Sequence, residues 1–196
     1  IIYKAPIPLF VLNKDHTITH FNQAMEELSG FHEKEMAGTK YQWRAFYSSQ
    51  RPVMADLIID HSSDTEIIEY YGRKYDPSGK EKDRFAGTDF FKDIGADGKW
   101  LYFTASTFND SSGKIAGAVE TIQDVTEEKS ALHKTKEFNQ LYLQIMEFVP
   151  YPIVVYDDKG YVSYTNPAFS DTFGWSLKEL EGKALPFVPE HLQKGI

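Results

Sequence analysis

Gly98-Lys-Trp-Leu-Tyr-Phe-Thr-Ala-Ser-Thr-Phe108 and Ile115-Ala-Gly-Ala-Val-Glu-Thr-Ile-Gln-Asp-Val-Thr126 stand on either side of Asn109-Asp-Ser-Ser-Gly-Lys114. The first run carries Trp100, Tyr102, Thr104 and Phe108, and the second Ile115, Val119, Thr121 and Ile122. These residue types suit a pleated, half-buried surface. Asn, Asp, Ser and Gly between them are turn chemistry, so the pair predicts an antiparallel hairpin with a loop of several residues. Asp124-Val-Thr-Glu-Glu-Lys129 opens a helical pattern directly behind it. Asp124 is placed to cap free N–H groups there, with Glu127 three residues on, as in a capping box. A hairpin that runs straight into a helix ties any event on its face to that helix.

The chain around this stretch has 196 residues, 41% hydrophobic and 15% aromatic, enough for a packed core. A net charge of −8 argues against a nucleic-acid surface and a polybasic membrane patch. There is no cysteine, which excludes disulfides, thiolate catalysis and Cys-ligated zinc and fits a reducing, cytoplasmic setting. The longest apolar run, Ile7 to Leu12, contains a proline and is too short for a membrane span or a signal peptide. A start at Ile-Ile rather than Met suggests a piece of a longer protein.

From the N-terminus, Pro6-Ile-Pro-Leu-Phe-Val-Leu12 and Thr17-Ile-Thr-His-Phe21 read as strands around a turn. Asn22 caps a helix over 23–29 that Gly30 ends, and Phe31-His-Glu-Lys-Glu-Met36 is a second short helix stopped at Gly38. The same phrase returns at a constant offset of 144 residues, the step from Asn22 to Asn166. Ala5-Pro-Ile-Pro-Leu-Phe-Val-Leu12 matches Val149-Pro-Tyr-Pro-Ile-Val-Val-Tyr156, and Lys34-Glu-Met-Ala-Gly38 matches Lys178-Glu-Leu-Glu-Gly182. Asn166 is the cap of the second copy, with Pro167 at the first helical position.

Strand, turn, strand, an Asn-x-Ala-capped helix, and later a hairpin ending in Asp124-Val-Thr126 resemble a PAS sensor domain. The resemblance covers 5–128 as one complete copy and 149–196 as the opening of a second. It implies an α+β, five-stranded antiparallel sheet with helices on one face and a small pocket between. The division expected is a PAS domain at 1–125, a helical linker at 126–148 and the half copy at 149–196. The implied role is a cytoplasmic sensor module of a two-component system or related pathway. Its downstream output domain would be a histidine kinase, a diguanylate cyclase or a transcriptional regulator. Asp124 and Thr126 would relay the signal. The alternative is a ligand-free PAS spacer that serves dimerisation.

Between the two ends, Tyr41-Gln-Trp-Arg-Ala-Phe-Tyr47 is dense in aromatics. Pro52 reads as the first turn of a helix over 52–60 with an apolar stripe at Val53, Met54, Leu57 and Ile58. A charged loop is expected at 76–83 and a middle strand at 85–91. Trp43, Phe46, Tyr47, Met54, Tyr71, Phe90, Trp100 and Tyr102, with Phe91, are the candidate pocket lining, against the alternative of ordinary core packing. Arg44, Arg51 and Arg73 are candidates to fork onto a ligand carboxylate or phosphate, against a surface ion pair with Asp56 or Glu69. Asp56, Asp60 and Asp64 look like the polar face of a helix and its end.

No histidine pair has metal-ligand spacing, so no metal is expected. His61 is where a haem-binding PAS domain would place an axial ligand. Haem and a redox flavin therefore stay open, and a cysteine-linked chromophore is excluded. No nucleophile, phosphate-loop or His-Glu-x-x-His motif is present, so the chain is not read as an enzyme. Thr126 to Phe148 lacks Gly and Pro, and its Ala131, Phe138, Leu141, Ile145 and Phe148 predict a parallel homodimer seam.

Overall fold

The computed structural model describes residues 2–74 and 84–186. Tyr75, the loop expected at 76–83 and the segment 187–196 lie outside the described residues, as does the side chain of Arg73. The chain divides into two compact units, Ile1–Ser130 and Ala131–Ile196.

In the first unit, β1 (Leu9–Asn13), β2 (Ile18–Phe21), β3 (Arg84–Phe91), β4 (Lys99–Asn109) and β5 (Ile115–Asp124) form one antiparallel sheet, ordered β2-β1-β5-β4-β3. The expected hairpin, β4 and β5, is paired from Leu101 opposite Asp124 to Asn109 opposite Ile115. β5 takes β1 on its other edge, with Phe10 opposite Glu120 and Leu12 opposite Ala118. Gly117 permits that approach: a Cβ there would lie 2.1 Å from Leu12 O and 2.7 Å from Phe108 Cζ. Residues opposite one another share a face of the pleat. One face carries Phe10, Leu12, Leu101, Phe103, Ala105, Ala118, Glu120 and Ile122, all buried. The other carries Val11, Trp100, Tyr102, Thr104, Val119 and Thr121, with a 2.8 Å hydroxyl bond between Thr104 and Thr121.

Helices α1 (Gln23–Ser29), α2 (Glu33–Met36), α3 (Met54–Ile59) and α4 (Asp64–Tyr71) complete the unit. α3 lies along β4 and β5, and all six of its residues are buried. It starts later than the sequence suggests. The Asp56 carboxylate accepts the Val53 N–H at 3.0 Å, so the first turn closes at Val53 and Pro52 stays outside. α4 begins with a capping box that the sequence reading missed: Glu66 Oε2 accepts from Ser63 N at 2.7 Å, and Ser63 Oγ from Glu66 N at 3.3 Å.

The second unit has β6 (Val154–Tyr156), β7 (Val162–Thr165), α6 (Pro167–Phe173) and α7 (Leu177–Leu180) around a small core of Val162, Phe169, Leu180 and Leu185. β6 pairs with β7 in a two-stranded sheet. The sequence repeat is also a repeat of hydrogen bonds. Asn22 Oδ1 accepts from Leu9 N and Met25 N while its Nδ2 donates to Ala5 O and Ile7 O. Asn166 Oδ1 accepts from Ile153 N and Phe169 N while its Nδ2 donates to Val149 O and Tyr151 O. Each partner is displaced by the same step as the asparagine. A short polar side chain with both donors and acceptors is what this junction needs.

After β5, α5 (Thr126–Phe148) runs for 23 residues, roughly 35 Å. None of its residues is buried. Among the described residues no helix is long and apolar enough to cross a membrane.

Candidate functional site

A narrow aromatic cavity lies between α3, α4 and the covered face of the sheet. Phe46, Tyr47, Val53, Tyr71 and Phe91 wall it with Leu101, Phe103 and Ile122, and Glu120 enters from β5. The rings pack at tilted angles, Phe46 on Phe91 at 5.6 Å, Tyr47 on Phe91 at 5.8 Å and Tyr71 on Phe103 at 5.3 Å between centroids. About 10 Å³ is open to water centres, room for about one molecule.

Glu120 is the ionisable group with the strongest claim to function here. It is 3% exposed, and its Oε2 accepts the Ala55 N–H, in the first turn of α3, at 2.8 Å. Burial pushes its carboxyl up to about 8; the Ala55 bond opposes the shift and the nearby Asp56 charge adds to it. Burial raises both the Tyr47 and the Tyr71 phenol, Tyr71 well above its ordinary value. The Arg51 guanidinium stacks on Tyr47 at 4.2 Å and Tyr71 at 5.1 Å, and its Nη2 donates to Tyr70 O at 3.0 Å.

The candidate lining is thus partly gathered. Phe46, Tyr47, Tyr71 and Phe91 line the cavity, Arg51 braces its tyrosines, and Met54 is buried in α3 outside the lining. Phe90, Trp100 and Tyr102 are corrected: the pleat carries them to the opposite face, where Phe90 and Trp100 stack at 5.5 Å. Arg44 is exposed, over Phe31 at 5.0 Å and Tyr41 at 5.8 Å, and Trp43 packs on the core from outside the cavity. Glu120 was missed, although strand alternation placed it between Ala118 and Ile122, both buried.

Asp56 also needs correction. It is 6% exposed, not part of a solvated helix face. Its Oδ1 accepts from Gln42 Nε2 at 2.7 Å and faces His16 Nδ1 at 2.8 Å, while His16 Nε2 lies 3.1 Å from Asp60 Oδ1. His16 holds a left-handed backbone, φ 63°, at the turn position where the second copy has Gly160 at φ 80°. Non-glycine residues are uncommon there.

At the exit of β5, Thr126 N and Oγ1 both donate to Asp124 Oδ1, at 3.0 and 2.5 Å, and Trp100 N donates to Thr126 Oγ1 at 2.9 Å. Lys99 pairs with Asp124. Burial works to raise the Asp124 carboxyl, but the Lys99 and Thr126 bonds outweigh it and hold it below the ordinary value. Val125 O accepts the first helical bond, from Lys129 N at 3.0 Å, so Val125 and not Asp124 is the cap. Asp124 instead braces the turn before it.

A family model described as a PAS domain matches residues 6–127. The chain belongs to the PAS domain family. A second model, described as a PAS fold, matches 140–194 of this PAS protein. PAS domains are sensor modules, and this one is similar to the two-component sensor PprA of Pseudomonas aeruginosa, 25% identical over 188 residues. That match covers 94% of this chain but 18% of the relative, so the chain spans under a fifth of PprA's length. Among solved structures it is similar to the PAS domain of Bordetella pertussis BvgS, at 14% identity and TM-score 0.44 over 71% of this chain and 91% of that one. A PAS domain from Colwellia psychrerythraea gives 16% identity and TM-score 0.41 over 64% and 91%.

Proposed function

We propose that this PAS domain senses a small ligand in the aromatic cavity and passes the change to α5 for a downstream output domain of a cytoplasmic two-component or related regulator. The observation that carries the reading is Glu120. One buried carboxyl group on the central hairpin reaches into the cavity and holds the first turn of α3, so an occupant that takes its hydrogen bond acts on wall and sheet together. The lining also matches the usual character of ligand sites, mostly apolar with few polar groups. An occupant larger than a water must spread α3 and α4 from the sheet, which gives the differential affinity between two states that signalling requires. β5 ends in the Asp124–Thr126 turn, and Trp100 on β4 bonds into it, so hairpin movement reaches α5 directly.

α5 supplies the partner surface. Ala131, Phe138 and Ile145 fall seven residues apart, with Leu141 three residues after Phe138 and Phe148 three after Ile145, an a/d pattern interrupted at Lys134. Phe138, Leu141, Ile145 and Phe148 are 68, 55, 56 and 84% exposed, as a seam awaiting a second copy would be.

The small volume of the cavity favours a second reading, a ligand-free spacer and dimerisation module. Native against denatured mass of one preparation separates them. Excess native mass over an integer multiple of the chain supports the sensor; a dimer without excess mass, unchanged in melting temperature by a small-molecule library, supports the spacer.

A further inference from the structure

An occupant of the aromatic cavity meets one free polar edge on the sheet. Glu120 makes a single hydrogen bond, from Ala55 N–H to its Oε2 at 2.8 Å. Its other oxygen, Oε1, has no partner among the described residues. Gln42 Oε1 and Trp43 Nε1 are unpartnered atoms closed off from any solvent-sized molecule; Glu120 Oε1 is not, and it keeps accessible surface. Glu120 is 3% exposed and lines the cavity, so that surface is the cavity's own.

The surroundings decide the state of that edge. Among the described residues no lysine, arginine or histidine forms an ion pair with Glu120. A buried carboxylate with one backbone donor and no cation is costly, so the group keeps its proton. Oε2 is the acceptor for Ala55 N–H, which leaves the proton on Oε1, an O–H donor on the cavity side. Charged and titratable groups stand near it from the packed elements: Asp56 on α3, Tyr71 on α4, Tyr47 and Arg51 in the segment before α3, and Asp89 on β3, whose charge reaches Tyr47. Asp89 is paired with Lys74, and Asp56 is held by His16 and Gln42. Arg51 has no carboxylate partner among the described residues, and its charge reaches both phenols. An ammonium would enter against that charge. A carboxylate would find no cation in the lining and would feel the Asp56 charge that already reaches Glu120. An uncharged acceptor meets neither cost.

We propose, resting on the reading of this cavity as a ligand site, that it selects uncharged molecules with a hydrogen-bond acceptor on an apolar body, a ketone being the simplest, and that Glu120 Oε1 is the donor that fixes the acceptor. The aromatic and aliphatic walls take the body, which spreads them as a signalling occupant must. One carboxyl group then bonds the occupant through Oε1 and the first turn of α3 through Oε2.

Cyclohexanone, cyclohexylamine, cyclohexanecarboxylate and methylenecyclohexane share one body and differ in its polar group; acetone is a smaller ketone. Each is titrated at pH 7 into the ¹⁵N-labelled chain, with the Ala55 amide signal as reporter and calorimetry for affinity. The expected result is a saturable Ala55 shift with a ketone, and binding at least about tenfold weaker for the amine, the carboxylate and the alkene, the scale of one hydrogen bond lost or one charge left unpaired. Ketone affinity also falls about tenfold between pH 7 and pH 9, because the Oε1 proton is released around pH 8. Glu120→Gln sets an amide N–H in the place of the O–H, so that fall disappears in the variant. An amine or carboxylate that binds as tightly as the ketone overturns the class and leaves the cavity a ligand site. Methylenecyclohexane binding as tightly, or a flat pH profile in the wild type, removes Glu120 as the donor and overturns the proposal. No Ala55 shift with either ketone overturns it too, and the mass comparison then decides the sensor reading separately.

Discussion

Replacing Glu120 with glutamine keeps the shape of the side chain and the acceptor for Ala55 N–H but removes a proton that the fold holds tightly. The carboxyl has an ordinary value of 4.5 and is pushed up to about 8 in the folded chain. Between those limits the unfolded chain has released its proton and the folded chain keeps it, so the unfolded state binds fewer protons and stability falls as pH rises. At 1.36 kcal/mol per pH unit, Glu120 removes about 3 kcal/mol of stability from the wild type between pH 5 and pH 8. Glu120→Gln has no such loss. Urea unfolding of both proteins at pH 5, 6, 7 and 8 isolates the effect, because the other titrations are common to both and cancel in the difference. Similar stability at pH 5 and a variant more stable by about 3 kcal/mol at pH 8 is the expected outcome. Parallel curves across the range would refute the reasoning: they would mean that Glu120 is solvated in the folded chain and does not face a dry cavity.

Three more perturbations test other parts. His16→Ala keeps the left-handed turn but loses both carboxylate contacts, whereas His16→Gly loses the contacts and suits the turn; Ala is expected to be less stable than Gly by about 1 kcal/mol in urea, and equal effects would remove the strain argument. Gly117→Ala forces a Cβ against Leu12 O and the Phe108 ring, so a loss of about 1–3 kcal/mol is expected by thermal unfolding, and a neutral result would place β1 farther from β5. Leu141→Glu sets a charge at the middle of the α5 seam; analytical ultracentrifugation should give monomers, and a persistent dimer would move the interface off this helix.

Local signals were the legible ones. The hairpin, the Asn22 and Asn166 caps and the repeat rest on residues close in sequence, whose turn and capping chemistry does not wait for tertiary contacts. The face of each strand was harder. In β4 both parities are apolar, Leu101-Phe103-Ala105 on one side and Trp100-Tyr102 on the other, so hydrophobicity could not tell which would be buried. β5 held the answer in a form that invites misreading, since its inward parity contains a glutamate. The same bias moved Asp56 to the surface on paper. Its burial depends on His16 and Gln42, 40 and 14 residues away, and no pattern within α3 announces either partner.

The asparagine junction sets where this chain can be cut. Asn22 is 1% exposed, and its amide nitrogen spends both hydrogens on Ala5 O and Ile7 O, upstream of the first strand. Trimming to Leu9, where the sheet begins, would therefore strip both acceptors from a buried amide and loosen α1 from a distance. The shortest well-behaved fragment of the first copy begins at or before Ala5, and by the same bonds the second begins at or before Val149.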